Sequence, residues 1–238
     1  MVHRALSFTF AALCAAPLAG CDARNDADYR GEVVQTIGGT VTNEAGLSLQ
    51  SPDLTLLWLP STDESESMVQ TTRVPVTGGF PASFSLELYG PPPDSVIASR
   101  GFNDGSPPEP RVGVAYVLAV PSDYEFGSSS PPPAVWGLAD HVLAYVDGDV
   151  APGSRAEVLF GAPLTKGYHL MRVVPRDEAW GVADCLAAVK AVNPAVSEGA
   201  VNERCGQPDF DILVESPEGL AAPLDVRIAT DHELPELT

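Results

Sequence analysis

The chain is poor in basic residues. Thirteen Lys and Arg stand against 32 Asp and Glu, leaving a formal charge of −19 at pH 7. A sequence so depleted in cations has no basic face with which to neutralise phosphates, which argues against nucleic acid as a partner. It also lacks the polybasic segment that would draw it to anionic lipid heads. Its four cysteines include no CxxC pair, so zinc-ribbon and thioredoxin-like readings have no support. There is no G-x-S-x-G elbow to seat a hydrolase serine, and His232-Glu233 lacks the second histidine of H-E-x-x-H. No Gly-rich loop precedes a helix to cradle a phosphate.

What is present begins at the N-terminus. Met1-Val2-His3-Arg4 carries one fixed positive charge and leads into Ala5–Leu18, an uncharged stretch holding Leu6, Phe8, Phe10, Leu13 and Leu18. That length suits the core of a signal peptide and is too short to span a bilayer as a helix. It ends in Leu18-Ala19-Gly20-Cys21, which resembles the lipobox read by bacterial lipoprotein-processing enzymes. The small Ala19-Gly20 pair lets a peptidase approach the backbone, and the Cys21 thiol would take the lipid. The resemblance implies removal of residues 1–20 and a covalent lipid on Cys21, with two acyl chains at the thiol giving stable anchoring. The alternative is an ordinary secretory signal with a cysteine nearby. Cleavage would leave twelve Lys and Arg against 32 acids, a balance of −20, so lipid rather than charge would hold the protein at the membrane.

Removal of the leader takes Cys14, and lipidation consumes Cys21. Cys185 and Cys205 remain, and in an oxidising exported compartment they are expected to form one disulfide; two buried thiols are the alternative.

Residues 21–30 are polar and aperiodic and read as a lipidated tether. From Glu32 the pattern changes to short apolar runs of period two, punctuated by 23 Pro and 21 Gly. Glu32–Ile37 and Thr40–Thr42 read as strands flanking Gly38-Gly39, with a turn at Asn43–Gly46. Leu54–Leu59 reads as a strand buried on both faces, and Met68–Val76 as its partner, with Pro75 at a sheet edge. Phe84, Leu86 and Leu88 alternate with polar residues until Pro91-Pro92-Pro93 stops the strand. Asp94–Pro110 reads as a long loop. Val112–Val120 returns as a strand whose second face carries the small Gly113, Ala115 and Ala119. His141–Val146, Ala156–Phe160, Tyr168–Val174, Phe210–Val214 and Leu224–Ile228 read as further strands. A single helix is expected after Asp177 as its N-cap, with Val182, Cys185, Leu186 and Val189 on one face and Asn193-Pro194 at its end. The acidic residues 231–238 form a tail.

The segment Ile37–Leu49, with Gly39-Thr-Val-Thr-Asn-Glu-Ala-Gly46, resembles the opening strand and turn of prealbumin-like modules, including carboxypeptidase regulatory-like domains. Phe80-Pro-Ala-Ser-Phe84-Ser-Leu86 resembles their closing strand. The combination of lipobox, Leu-Trp strand, this second strand and triple proline is similar to lipoproteins of myxobacteria that have no assigned activity. These resemblances imply a small Greek-key sandwich on an exported protein and bring no catalytic residues with them. The expected fold is therefore mainly β, an antiparallel prealbumin- or Ig-like sandwich over residues 31–230 with one disulfide-stapled helix near the C-terminus. A division near 91–110 into two small domains is the alternative.

Candidate sites follow from residue type and position. Tyr124, Phe126 and Trp136 lie in a Pro/Ser/Gly-rich region, 121–137, where aromatic side chains suit recognition of a sugar or protein; Trp136 folded back over the sandwich edge is the competing reading. Asp140-His141 could supply half of a catalytic pair or stand as a surface pair at a strand start. Asp147-Gly148-Asp149 offers clustered oxygens for calcium, yet Asp-Gly is also a common β-turn dipeptide. His169, alternating with apolar neighbours, is expected to be structural. The sequence thus reads as an envelope lipoprotein without cofactor, facing the periplasm or cell exterior from the inner or outer membrane. Its expected role is non-enzymatic binding of an envelope protein or polysaccharide. The alternative is an envelope hydrolase or calcium-dependent domain using Asp140, His141, Asp147 and Asp149.

Overall fold

The computed structural model describes residues 32–46, 52–59, 69–97, 110–124, 136–175, 177, 179–206 and 211–230. The signal peptide, the tether, Phe126 and the acidic tail lie outside the described residues. Nine strands belong to one mixed sheet. In chain order they are β1 (Val33–Asn43), β2 (Asp53–Trp58), β3 (Val69–Pro75), β4 (Ala82–Tyr89), β5 (Val112–Val120), β6 (Trp136–Val146), β7 (Gly167–Val174), β8 (Ile212–Glu215) and β9 (Leu224–Ala229). Three helices join them: α1 (Arg155–Phe160), α2 (Val182–Val192) and α3 (Glu198–Cys205).

The spatial order is β3-β2-β5-β6-β9-β1-β4, and β7 and β8 extend from a second side of β6. β6 is long enough to be shared. Its first residues, Trp136–Ala139, pair with β9, and His141–Val146 pair with β7. The sheet therefore forks at Asp140-His141. β9 lies parallel to β1, which corrects the expectation of a purely antiparallel Greek-key sandwich. The sheet curls nearly into a barrel, with the edges β3 and β4 approaching each other.

The curl explains why so many strands are apolar on both faces. Ile37, Val41, Leu54, Leu56, Trp58, Leu86, Val117, Leu143, Val226 and Ile228 fill the inside. On the outside of β5 and β6, Val114, Tyr116, Leu118 and Val142 form a second core with Phe160 of α1. β5 is buried at every position. Its small inward residues leave room for Trp58: a Cβ added at Gly113 would lie 3.2 Å from the Trp58 ring. The Trp58 Nε1–H donates to Thr71 Oγ1 at 2.8 Å, satisfying the one polar group of that side chain.

β1 runs unbroken through Gly38-Gly39 instead of pausing there. Gly39 sits where β9 and β4 crowd the strand from both sides: a Cβ would lie 2.2 Å from the Leu224 carbonyl and 2.8 Å from the Phe84 ring. The turn that follows is held by Asn43 Oδ1, which accepts the Ala45 N–H at 3.1 Å.

Residues 156–160, expected as a strand, are helical. Ser154 Oγ accepts the Glu157 N–H at 3.2 Å, Glu157 Oε2 accepts the Gly153 N–H at 2.6 Å, and Gly161 closes the helix at φ 67°. Together these satisfy groups that a helix terminus leaves bare. α2 begins later than expected. Its N-cap is Gly181, whose N–H donates to Asp184 Oδ2 at 3.3 Å, while Asp177 accepts from Ala179 N–H at 2.8 Å in the preceding turn. Cys185 and Val189 are buried but Val182 is exposed. Where the sequence reads as a single helix, a further one, α3, follows, and the Cys185–Cys205 disulfide joins it to α2. Both helices pack with Val174, Ile212 and Val214 in a third apolar cluster.

Candidate functional site

Strand register divides the candidate residues among three levels of the sheet. The chain enters β1 at Val33, beside Tyr89 of β4, and this end also holds Val112, Val146 and Gly167. Asn43, Ala82, Val120, Trp136 and Ala229 mark the opposite end. β1 is 11 residues long, so the two ends are about 33 Å apart at the usual strand rise.

Tyr124 and Trp136 belong to the far end. Trp136 does not lie in a loop, as the sequence reading had it. It is the first residue of β6, paired with Ala229 and half-buried against the outer core, and Tyr124 packs on the same core. β6 begins five residues upstream of the expected start, at Trp136, where pairing with β9 and β5 holds Trp136–Ala139 extended although Gly137 and Asp140 are poor strand formers. Arg73 of β3 holds the Tyr124 turn: its Nη2 donates to the carbonyls of Pro121 and Tyr124 at 3.1 and 2.9 Å, and its Nε lies 2.7 Å from Asp53 Oδ2. Nothing in the local sequence marks Arg73 for this part, because its partners lie 48 and 51 residues away.

Asp140 and His141 occupy the fork. The His141 side chain is buried, with Nδ1 2.8 Å from Asp140 Oδ1 but off the line that a hydrogen bond requires. The same carboxylate accepts the Asp225 N–H at 3.2 Å, taking the place of a strand at the point where β9 leaves β6. Burial alone would raise the Asp140 pKa, but His141, the Asp225 amide and Arg172 outweigh it and lower the value. A carboxylate with a depressed folded pKa contributes stability above its unfolded pKa, and that contribution disappears as pH falls through the folded pKa. Asp140→Ala is expected to cost no more than about 1 kcal/mol at pH 7, since Asp140 is 38% exposed and water can take its place at the Asp225 amide. Urea unfolding at pH 7 and below the unfolded carboxylate range checks this: the difference from wild type should shrink in acid.

The two aspartates of the 147–149 turn are already engaged. Asp147 accepts the Arg111 N–H and Nε–H, each at 2.6 Å, and Arg111 also reaches Asp94 at 3.1 Å. These acids raise the Arg111 pKa through hydrogen bonding. Asp149 Oδ1 accepts the Lys166 N–H at 2.8 Å. Six residues of extended β6 separate His141 from Asp147, about 20 Å. The structure therefore does not bring Asp140, His141, Asp147 and Asp149 to one point, and among the described residues no three potential ligands cluster for a metal.

His169 is held on both ring nitrogens, by Glu215 Oε1 at 2.8 Å and by the Thr165 carbonyl at 2.7 Å. Burial opposes its charge, yet these two partners prevail and raise its pKa. It ties β7 to β8, as expected of a structural histidine. Toward the chain-entry end the Tyr168 ring meets Tyr145 edge-on, with centroids 5.0 Å apart, and lies tilted against Trp58 at 6.5 Å, while Tyr168 Oη–H donates to the Gly90 carbonyl at 2.6 Å. Burial raises the Tyr168 pKa strongly, so this phenol stays a neutral donor.

Comparison with protein-family models, with curated proteins and with solved structures finds no match to this chain.

Proposed function

We propose that this chain is a lipid-anchored, non-enzymatic binding or structural module of the cell envelope, recognising an envelope protein or polysaccharide. The observation that carries the reading is Leu18-Ala19-Gly20-Cys21 at the end of an uncharged run. The acidic surface suits it, because a domain with this charge needs a covalent lipid to stay at a membrane. Strand register supports a division of labour. Residue 33 follows the tether at one end of the sheet, and Tyr124 and Trp136 lie at the other, where half-buried aromatics offer rigid apolar surface to a partner.

Cys21→Ala tests the reading. Wild-type protein is expected in the membrane fraction as a lipidated form starting at Cys21. The variant should accumulate as a precursor or leave the membrane. A variant that remains in the membrane at mature length would remove the basis of this assignment.

A further inference from the structure

We infer that the chain-entry end of the domain, at Val33 and Val34, rests on the lipid surface to which Cys21 is attached. This rests on the anchoring proposed above. Val33 and Val34 are 44% and 54% exposed, and among the described residues Val182 is the only other exposed large apolar side chain. Both side chains are bare at the point where β1 begins, ahead of the layers that cover the rest of the strand. The pairing says the same. Val33 pairs with Tyr89, the register shifts between Val33 and Gln35, and β9 flanks β1 only from Gly39 onward. Val34 is the extra residue of a bulge, a common way to re-aim a strand end.

The chain itself identifies the occupant. Eleven residues lie between Cys21 and Val33, so the two cannot be more than about 43 Å apart when the chain is fully extended. Tethering at such short range converts a weak contact into a populated one without further affinity. Two valines are too small a patch for a protein interface, which needs about 1,000 Å². They do suit shallow insertion at a bilayer boundary, and Tyr89 across the pair has the amphipathic ring found at such depths. Glu32 and Glu87 lie beside the tip and are exposed. Their charge favours zwitterionic over anionic head groups.

Amide hydrogen exchange tests the inference. Lipidated protein in phosphatidylcholine vesicles is compared with Cys21→Ala protein free in solution. Amides at Val33–Gln35 should exchange about tenfold more slowly on vesicles, the ratio expected from covering half-exposed valine surface. Those at Gly137, Leu138 and Ile228 should be unchanged. Val33→Ser/Val34→Ser should return the tip to its solution rate and leave the Tm in place. Equal rates at the tip in both forms would overturn the inference, as would slowing confined to the far end. Slowing at the tip without vesicles as protein concentration rises would assign it to a second copy and would also overturn it. If intact mass shows no lipid on Cys21, the anchoring reading fails separately. The same exchange is then measured on protein coupled to the vesicles through Cys21 with a maleimide lipid, where the same two outcomes decide.

Discussion

Gly39→Ala is expected to destabilise the protein by about 3 kcal/mol, the upper end of the usual cost of overpacking, because the surroundings cannot relax. The new methyl would lie 2.2 Å from the Leu224 carbonyl oxygen and 2.8 Å from the Phe84 ring. The ring can rotate away. The carbonyl cannot, because it belongs to the backbone of β9, which pairs with β1 from this residue onward. Relief would require β9 to separate from β1 and disturb its second partner, β6, at Trp136–Ala139. Gly38→Ala supplies the control. Its methyl would meet only the Phe84 carbonyl, at 3.7 Å, so the change should stay within about 1 kcal/mol, helped by the lower entropy of the unfolded chain. Urea midpoints of the two variants give the answer directly. Equal midpoints would mean that β9 does not approach β1 as closely as described.

Loss of the disulfide should have a comparable effect. Cys185 and Cys205 are both fully buried and join α2 to α3 across twenty residues. Closing a loop of that length is worth about 3 kcal/mol in the chain-entropy model. Cys185→Ala/Cys205→Ala should lose about that much in urea unfolding. The loss should also be local. The helical layer rests on Val174, Ile212 and Val214 of β7 and β8, and β8 pairs only with β7. Hydrogen exchange in α2 and α3 should therefore accelerate well before that in β5 and β6. Uniform acceleration across the sheet would show that the two layers unfold as one unit. Because both sulfurs are buried, intact protein should show no alkylation until it is denatured and reduced.

The strands were legible where their pattern was local. Leu54–Leu59, an apolar run broken only by Thr55, and Ser83–Leu88, alternating, match β2 and β4 to within a residue or two. Three misreadings have specific causes. Ala156–Phe160 looked like a strand because Val158, Leu159 and Phe160 are apolar in a row, but Ser154 and Glu157 stand at capping-box spacing and Gly161 follows at the C-terminal position. Those signals were present and decide the matter once each hydrogen bond is accounted for. Trp136 was read with the proline-rich loop before it because its strand partner, Ala229, lies 93 residues later. The parallel pairing of β1 with β9 has no local signature at all. Glycine at position 39 was the only trace, and it read as a pause in the strand rather than as a place where another backbone passes. The candidate site followed the same rule. Asp140-His141 was visible as a pair, but its place at a fork depends on where β7 and β9 diverge. Arg73 gave no hint of its hold on Tyr124.

The position of β9 also sets a timetable. It is the last strand described in the chain, yet it lies in the middle of the sheet, between β6 and β1. Gly39 must wait for Leu224, 185 residues later, before that side of β1 is covered. Contacts between such distant residues form late and slow the folding of a sheet. In a chain synthesised from its N-terminus, β1 through β8 emerge before the strand that joins the two halves of the sheet. Throughout that interval β1 and the first half of β6 present bare backbone to proteases and to neighbouring chains. A ribosome that stops short of Leu224 releases a chain whose sheet cannot be completed. Whether the sheet closes is therefore decided by the last strand described, however early β1 is made.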